Sequence, residues 1–131
     1  MGVIAVLVAA LAGFGMGALW YMVLSRPWME AAGIPMDEHG RPQGNGSPLP
    51  FVVSGIAMIL VAGMMRHIFA MAGIASVDGG LVAGLGIGAF FITPWVAMNY
   101  AFAKRPLRLT LLDGGYALLG PGVIGLVLGF F

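Results

Sequence analysis

The chain has 131 residues, the size of one small domain, but its composition is unlike that of a soluble one. Hydrophobic residues make up 60% and charged residues 8% of the sequence, whereas soluble domains carry about 25% charged residues. A net charge of +1 provides no basic face for nucleic acid, and the absence of cysteine excludes disulfides, thiolate metal sites and a cysteine nucleophile. With a mean hydropathy of +1.01, the composition predicts an all-helical integral membrane protein.

Four long apolar segments, taken in chain order, predict four transmembrane helices within one domain over residues 1–131. About 20 helical residues cross the hydrocarbon core of a bilayer, and each segment reaches that length. The segments are residues 2–24, 51–72, 79–103 and 109–131. Pro48 and Pro50 suit the start of the second span, and we expect Pro94 to bend the third. The connection 25–50 is rich in glycine and proline from Gly33 onward, which predicts an irregular loop in that part.

The distribution of basic residues predicts the orientation. Lysine and arginine near the ends of spans concentrate on the cytoplasmic side of a membrane protein. The first and third connections and the start of the fourth span contain Arg26, Arg41, Lys104, Arg105 and Arg108. The opposite side has only Arg66. We therefore expect a multi-pass membrane protein with the loop 25–50 in the cytoplasm and both termini on the outer side of the membrane. Three aromatic residues then lie at the inner interface, namely Trp20, Tyr21 and Trp28.

Small residues recur at every fourth position in three of the spans, which places them on one face of each helix. They are Ala5, Ala9, Gly13 and Gly17 in the first span, Gly80, Gly84 and Gly88 in the third, and Gly125 and Gly129 in the fourth. Such faces allow close helix packing in lipid, either within the chain or against another subunit. Four helices present more small-residue faces than so small a bundle must bury, so we expect the first or third face to contact a different polypeptide.

Residues 12–18 and 83–89 share the pattern Ala-Gly-x-Gly-x-Gly-Ala, and an Arg-Pro pair follows each of these two spans. The two spans run in the same direction across the membrane. The repeat is therefore consistent with a parallel duplication of a two-helix hairpin.

Asn99 and Asp113 form the most suggestive polar pair. Counting 1.5 Å per residue from the third connection places both roughly 8 to 9 Å inside the inner boundary. Tyr116 shares a helix face with Asp113, and Tyr100, Lys104 and Arg108 are close enough in sequence to supply further donors. One hypothesis is a structural clamp between the last two spans, and the other is a polar patch of a transporter or channel.

Arg66 and His67 interrupt the second span on its outer side. Arg66 either extends to the interface, pairs with Asp78 across a short loop, or binds an anionic head group or a substrate. His67 has no partners at metal-binding spacing, and Asp37, Glu38 and His39 are adjacent residues that cannot all face one ion without a special turn. No phosphate-binding glycine motif and no Ser-His-Asp arrangement is present. We expect no metal and no cofactor, with bound lipid as the one candidate ligand.

Several blocks resemble a known family. They are the motif from Gly17 to Tyr21, the motif from Arg26 to Met29, and the motifs beginning at Arg105 and Asp113. In these blocks the sequence is similar to the bacterial membrane family called domain of unknown function 1761. The residues around Gly40 to Pro50 and Met64 to His67 are similar to its alphaproteobacterial members. The resemblance implies an integral membrane protein of a bacterium, so we expect a location in the inner membrane with both termini in the periplasm. It implies no reaction or catalytic residue.

The sequence therefore leaves three classes of function. The first is a structural or accessory subunit that associates with itself or with a larger membrane complex through its small-residue faces. The second is a small oligomeric transporter or channel that uses Asn99, Asp113 and Tyr116. An intramembrane enzyme is third, and no catalytic motif supports it.

The expected orientation can be tested with reporter fusions. A reporter after Phe131 should be active in the periplasm, and a reporter inserted near Gly44 should be active in the cytoplasm, because the basic residues flank the spans so unequally. The reverse pattern for both fusions would contradict this topology.

Overall fold

In a computed structural model, which describes residues 2–35, 38–39 and 48–131, the secondary structure is helical, and no strand occurs within those ranges. The elements are α1 (Gly2–Val23), α2 (Ser25–Ala32), α3 (Leu49–Ala72), α4 (Val77–Ile87), a π-helical segment (Gly88–Ile92), α5 (Thr93–Phe102) and α6 (Leu107–Leu128). The segment from α4 to α5 is one continuous span. The four long apolar helices confirm the predicted fold class of a four-span, all-helical membrane protein.

The third span contains the π-helical segment immediately before Pro94. A proline inside a helix has no N–H for the carbonyl four residues earlier, and its ring crowds that carbonyl. Widening the helix over Gly88–Ile92 relieves this conflict, so the chain continues as α5 without ending at the proline.

α6 is the central helix of the bundle. It packs against α1 on one side and against the third span on the other, while α2 covers its first turns. α3 packs mainly on α1, contacts α6 less, and stands apart from the third span. The buried apolar core lies between α1, α3 and the end of α6; it consists of Ala5, Ala9, Ala10, Ala62, Met65, Phe69, Ile124 and Leu128.

The contact between α4 and α6 is a close approach of two backbones. A β-carbon added to Gly84 would overlap the carbonyl oxygen of Pro121, and one added to Gly80 would overlap that of Gly125. Gly88 faces the carbonyl of Ala117 in the same way, and Pro121 leaves that carbonyl without its helical N–H donor. The Cα–H groups of these glycines are therefore placed for weak hydrogen bonds to carbonyl oxygens.

The small-residue face of α1 is also occupied by the chain itself. Ala5 and Ala9 are fully buried in the core, and a β-carbon on Gly13 would lie 2.8 Å from the Ile124 side chain. At Gly17 a β-carbon would lie 2.7 Å from the Tyr116 ring. The two small residues of α6 lie at its contact with the third span: Gly125 faces α4, and Gly129 faces the residues that begin α4.

Both faces are therefore occupied by the chain's own helices, and the expectation that one of them contacts a different polypeptide stays a prediction without a free face to support it. Sequence spacing identified the small positions, but it did not reveal that α6 lies between α1 and the third span and fills both. The matched patterns of residues 12–18 and 83–89 each direct glycines at α6, from opposite sides. The proposed duplication remains a hypothesis.

Replacing Gly84 with leucine should destabilise the isolated chain, because the new side chain would collide with the backbone of Pro121. We expect a loss of about 1–3 kcal/mol, typical of overpacking a tight core, measured by denaturant titration in mixed micelles. Gly86→Leu is the matched control on the same helix, since no atom lies within 4 Å of a β-carbon there. Equal stability of the two variants would contradict this packing.

Candidate functional site

Asp113 is the convergence point of four helices. Tyr21 of α1 donates its hydroxyl hydrogen to Oδ1 at 2.6 Å, and the Trp28 indole nitrogen of α2 donates to the same oxygen at 3.0 Å. Tyr100 of α5 donates its hydroxyl hydrogen to Oδ2 at 2.5 Å. A carboxylate has only acceptors, and here all three partners are donors. Asp113 together with Tyr21, Trp28 and Tyr100 is called the aromatic cage below.

The short helix α2 brings Trp28 to this cage. α2 ends at Gly33, which has the left-handed conformation with φ 74° that favours glycine. Two arginines at and just before the start of α6 also contact α2. Arg105 donates to the carbonyl of Ala32 at 2.6 Å, and Arg108 lies 3.5 Å from the carboxylate of Glu30.

Glycines on α1 and α6 let large aromatic rings approach these helices closely. Because Gly17 has no side chain, Tyr116 reaches α1 and donates its hydroxyl hydrogen to the carbonyl of Gly13 at 2.8 Å. Because Gly115 has none, Trp20 lies on α6 and donates to the carbonyl of Leu112 at 2.9 Å. Tyr116 also supports the cage, since Tyr21 contacts the rings of both Trp28 and Tyr116 edge to face.

A cleft of about 440 Å³ opens beside the cage, between α3 and the third span. Asp113 and its aromatic donors line one end, with Tyr116 next to them. Aliphatic side chains line the remainder: Met58, Val61, Ile92, Val96, Pro121 and Ile124. The cleft exists because α3 attaches to the bundle through α1 and leaves this face of α6 uncovered.

The carboxylate of Asp113 has no basic partner within the described residues. Arg108 pairs with Glu30, and Arg105 is bound to a backbone carbonyl of α2. Oδ1 accepts two hydrogen bonds, whereas Oδ2 accepts only one and retains capacity for another contact. The site thus combines a formal negative charge, four aromatic rings and an apolar cleft.

The predicted inner patch is only partly assembled by the fold. Asp113 and Tyr116 line the cleft together. Asn99 is exposed and makes no side-chain hydrogen bond among the described residues, and Arg108 is directed to Glu30 instead of Asp113. The clamp between Asp113 and Asn99 with a basic residue is therefore not formed, and aromatic donors take its place.

Sequence reasoning missed the roles of Tyr21 and Trp28, which it placed at the interface as anchors. A signal was present, because Tyr21 near the end of the first span and Asp113 near the start of the fourth have the same depth. The role of Trp28 carried no such signal, because it depends on α2 folding back under α6.

On the opposite end of the bundle, the structure does not bring Arg66 and Asp78 into an ion pair. Asp78 lies in the first turn of α4, where a negative charge is favoured. Ser76 caps this helix, and its side-chain oxygen accepts the Gly79 N–H at 3.1 Å. Arg66 lies instead beside Gly2, with its guanidinium carbon 3.1 Å from where a β-carbon would be.

No group of three or more metal-binding side chains is found in the part of the chain that the structure describes. Asp37, which is adjacent to Glu38 and His39 in the first loop, lies outside the described residues, and so does Arg41.

The chain was compared with known proteins. Residues 4–129 match the model of a family described as a protein of unknown function, DUF1761. The chain belongs to this family. No curated protein and no solved structure matches it. The resemblance to this family is thus confirmed over nearly the whole chain, whereas the similarity to its alphaproteobacterial members stays a prediction. The family description assigns no reaction to the aromatic cage.

Replacing Asp113 tests the cage as a structural element. Asp113→Leu leaves three donors without acceptors, and at about 0.6 kcal/mol for each hydrogen bond within a membrane bundle we expect a loss of about 2 kcal/mol. Asp113→Asn keeps an acceptor oxygen and should lose less than half of that. Asn99→Leu, which removes an exposed polar group without a partner, is the control for denaturant titration in micelles and should change little. A Leu variant as stable as the native chain would show that the cage does not hold the helices together.

Proposed function

We propose that this protein binds an organic cation in the aromatic cage and that this cation is the substrate of a small membrane transporter. The observation that carries the proposal is the Asp113 carboxylate, which lies within a transmembrane helix beside an open cleft and has no basic partner among the described residues. Ionisable groups in such positions are costly, and they often mark the path of an ion or a substrate.

The chemistry around Asp113 favours an organic cation over a metal ion. Hard metal ions prefer several oxygen ligands, whereas the other groups at this site are phenol and indole rings. Aromatic rings attract ammonium groups through their negative faces, and this attraction is strongest for desolvated cations. Tyr21, Trp28, Tyr100 and Tyr116 supply four rings around one carboxylate, which suits an alkylated ammonium group.

The shape of the cleft favours a substrate with an apolar part. Its walls away from the cage are aliphatic, and Met58 is a flexible side chain that adapts to ligands of different shape. An alkyl chain on the ammonium group would therefore lie along Val61 and Val96 while its charge stays at Asp113.

A structural or accessory subunit is the second candidate and has lost its main support. That hypothesis depended on free small-residue faces on the first and third spans, and α6 fills both of them. Association of two or more chains into one transporter remains part of the proposal, because four spans provide few walls for a complete path.

The proposed location is the bacterial inner membrane with both termini in the periplasm, as the basic residues indicate. In that orientation the aromatic cage lies in the cytoplasmic half of the membrane. The cation would therefore enter the site from the cytoplasm or from the inner leaflet.

Binding and uptake of tetraethylammonium test the proposal. Calorimetry with the full chain in nanodiscs should show binding that Asp113→Asn weakens at least about tenfold, because that change removes the charge that balances the ammonium group. Uptake of radiolabelled tetraethylammonium into proteoliposomes should be reduced by the same substitution.

Val96→Trp should weaken binding by filling the cleft, and Val82→Trp is its matched control, since Val82 is 69% exposed on the same span. Binding that is unaffected by both Asp113→Asn and Val96→Trp would overturn the proposed site. Binding without uptake would retain the site and overturn the transport role.

A further inference from the structure

Arg66 is a charged residue that the proposed site does not use. It belongs to α3 and is exposed, and its side chain has no acidic partner and no hydrogen bond among the described residues. Its guanidinium lies beside Gly2, at the first turn of α1. The N-terminal end of a helix carries partial positive charge, so α1 offers this arginine no compensation.

Arg66 and His67 stand at the rim of an apolar groove between α1 and α3. The groove has a volume of about 540 Å³ and is lined along its length by Val3, Val6, Leu7, Ile59, Gly63 and Ala70. Gly63 keeps the groove open, because the nearest atom to a β-carbon there, in Val6, is 3.9 Å away. The side chains of Arg66 and His67 therefore border an apolar groove on the outer surface of the bundle.

The position of Arg66 on α3 allows its guanidinium to extend to the depth of the lipid head groups. α3 has 24 residues and is about 36 Å long at 1.5 Å per residue, which exceeds the roughly 30 Å of the hydrocarbon core. Arg66 is six residues before the end of α3 at Ala72 and is level with the first residue of α1. The Cα of Arg66 is therefore about 9 Å from that end of α3, a distance over which a long arginine side chain extends to the membrane boundary, while the groove runs from it toward the bilayer centre.

We propose that this groove is a binding site for one anionic phospholipid. The phosphate is held by Arg66 and by the imidazole N–H of His67, and one acyl chain lies along Leu7, Ile59 and Gly63. Charge complementarity selects the anionic head group, because guanidinium binds phosphate through paired N–H groups. The apolar groove selects a lipid over a free phosphate ion, which would leave those walls uncovered.

Native mass spectrometry of the full chain tests this site with two lipids that share the same acyl chains. Dioleoylphosphatidylglycerol should bind about fivefold more tightly than dioleoylphosphatidylcholine, and Arg66→Gln should abolish this preference. Arg26→Gln, at an exposed arginine on the opposite end of the bundle, should leave the preference intact.

The groove has its own matched pair of variants on α3. Gly63→Leu should weaken binding of both lipids by filling the groove, whereas Gly55→Leu should not, because a β-carbon at Gly55 has no neighbour within 4 Å. Glycerophosphoglycerol, the head group without acyl chains, should compete poorly.

Equal effects of Arg66→Gln and Arg26→Gln would overturn the proposal in favour of general charge attraction. Competition by the head group as strong as that of the whole lipid would overturn it in favour of a simple anion site. Binding unchanged by Gly63→Leu would remove the groove from the site.

Discussion

The close backbone contact between α4 and α6 is the interaction on which the rest of the arrangement depends. In a bilayer there is no hydrophobic force between helices, so packing at small residues and a few polar contacts must hold them. Gly80 and Gly84 place α4 directly on the carbonyl oxygens of α6, and Gly13 and Gly17 let α1 approach α6 from its other side. α6 is fixed between these two helices, and α3 packs mainly on α1. The cleft beside Asp113 therefore stays open between α3 and the third span.

The aromatic cage joins α1, α2, α5 and α6 at the end of the bundle where this packing brings them together. A carboxylate within a membrane span is costly unless donors surround it, and Tyr21, Trp28 and Tyr100 provide three from separate helices. These neutral donors satisfy hydrogen bonds without neutralising the charge. A basic residue at this place would have completed a clamp, whereas the aromatic donors leave the carboxylate without a basic partner, as the proposed cation site requires.

Much of the fold could be predicted from the sequence because run length alone identifies membrane spans. The small-residue faces also followed from their spacing of four, but spacing does not reveal which helix covers a face. The depth of Asn99 was predicted from residue counting, yet depth does not fix direction around a helix. Tyr100 is the next residue, about 100° further around, and it is the one that faces Asp113. Trp28 could not be assigned, because its position depends on the docking of α2 against α6.

Photoaffinity labelling with an alkyltrimethylammonium that carries a diazirine on its chain tests whether an organic cation binds beside Asp113 with its alkyl part in the cleft. The labelled full chain, in nanodiscs, is digested and its peptides are mapped by mass spectrometry. We predict label on the aliphatic walls of the cleft, at Met58, Val61 and Val96, and its loss in Asp113→Asn. Label spread over the exposed faces of the spans, and unchanged in Asp113→Asn, would contradict the account.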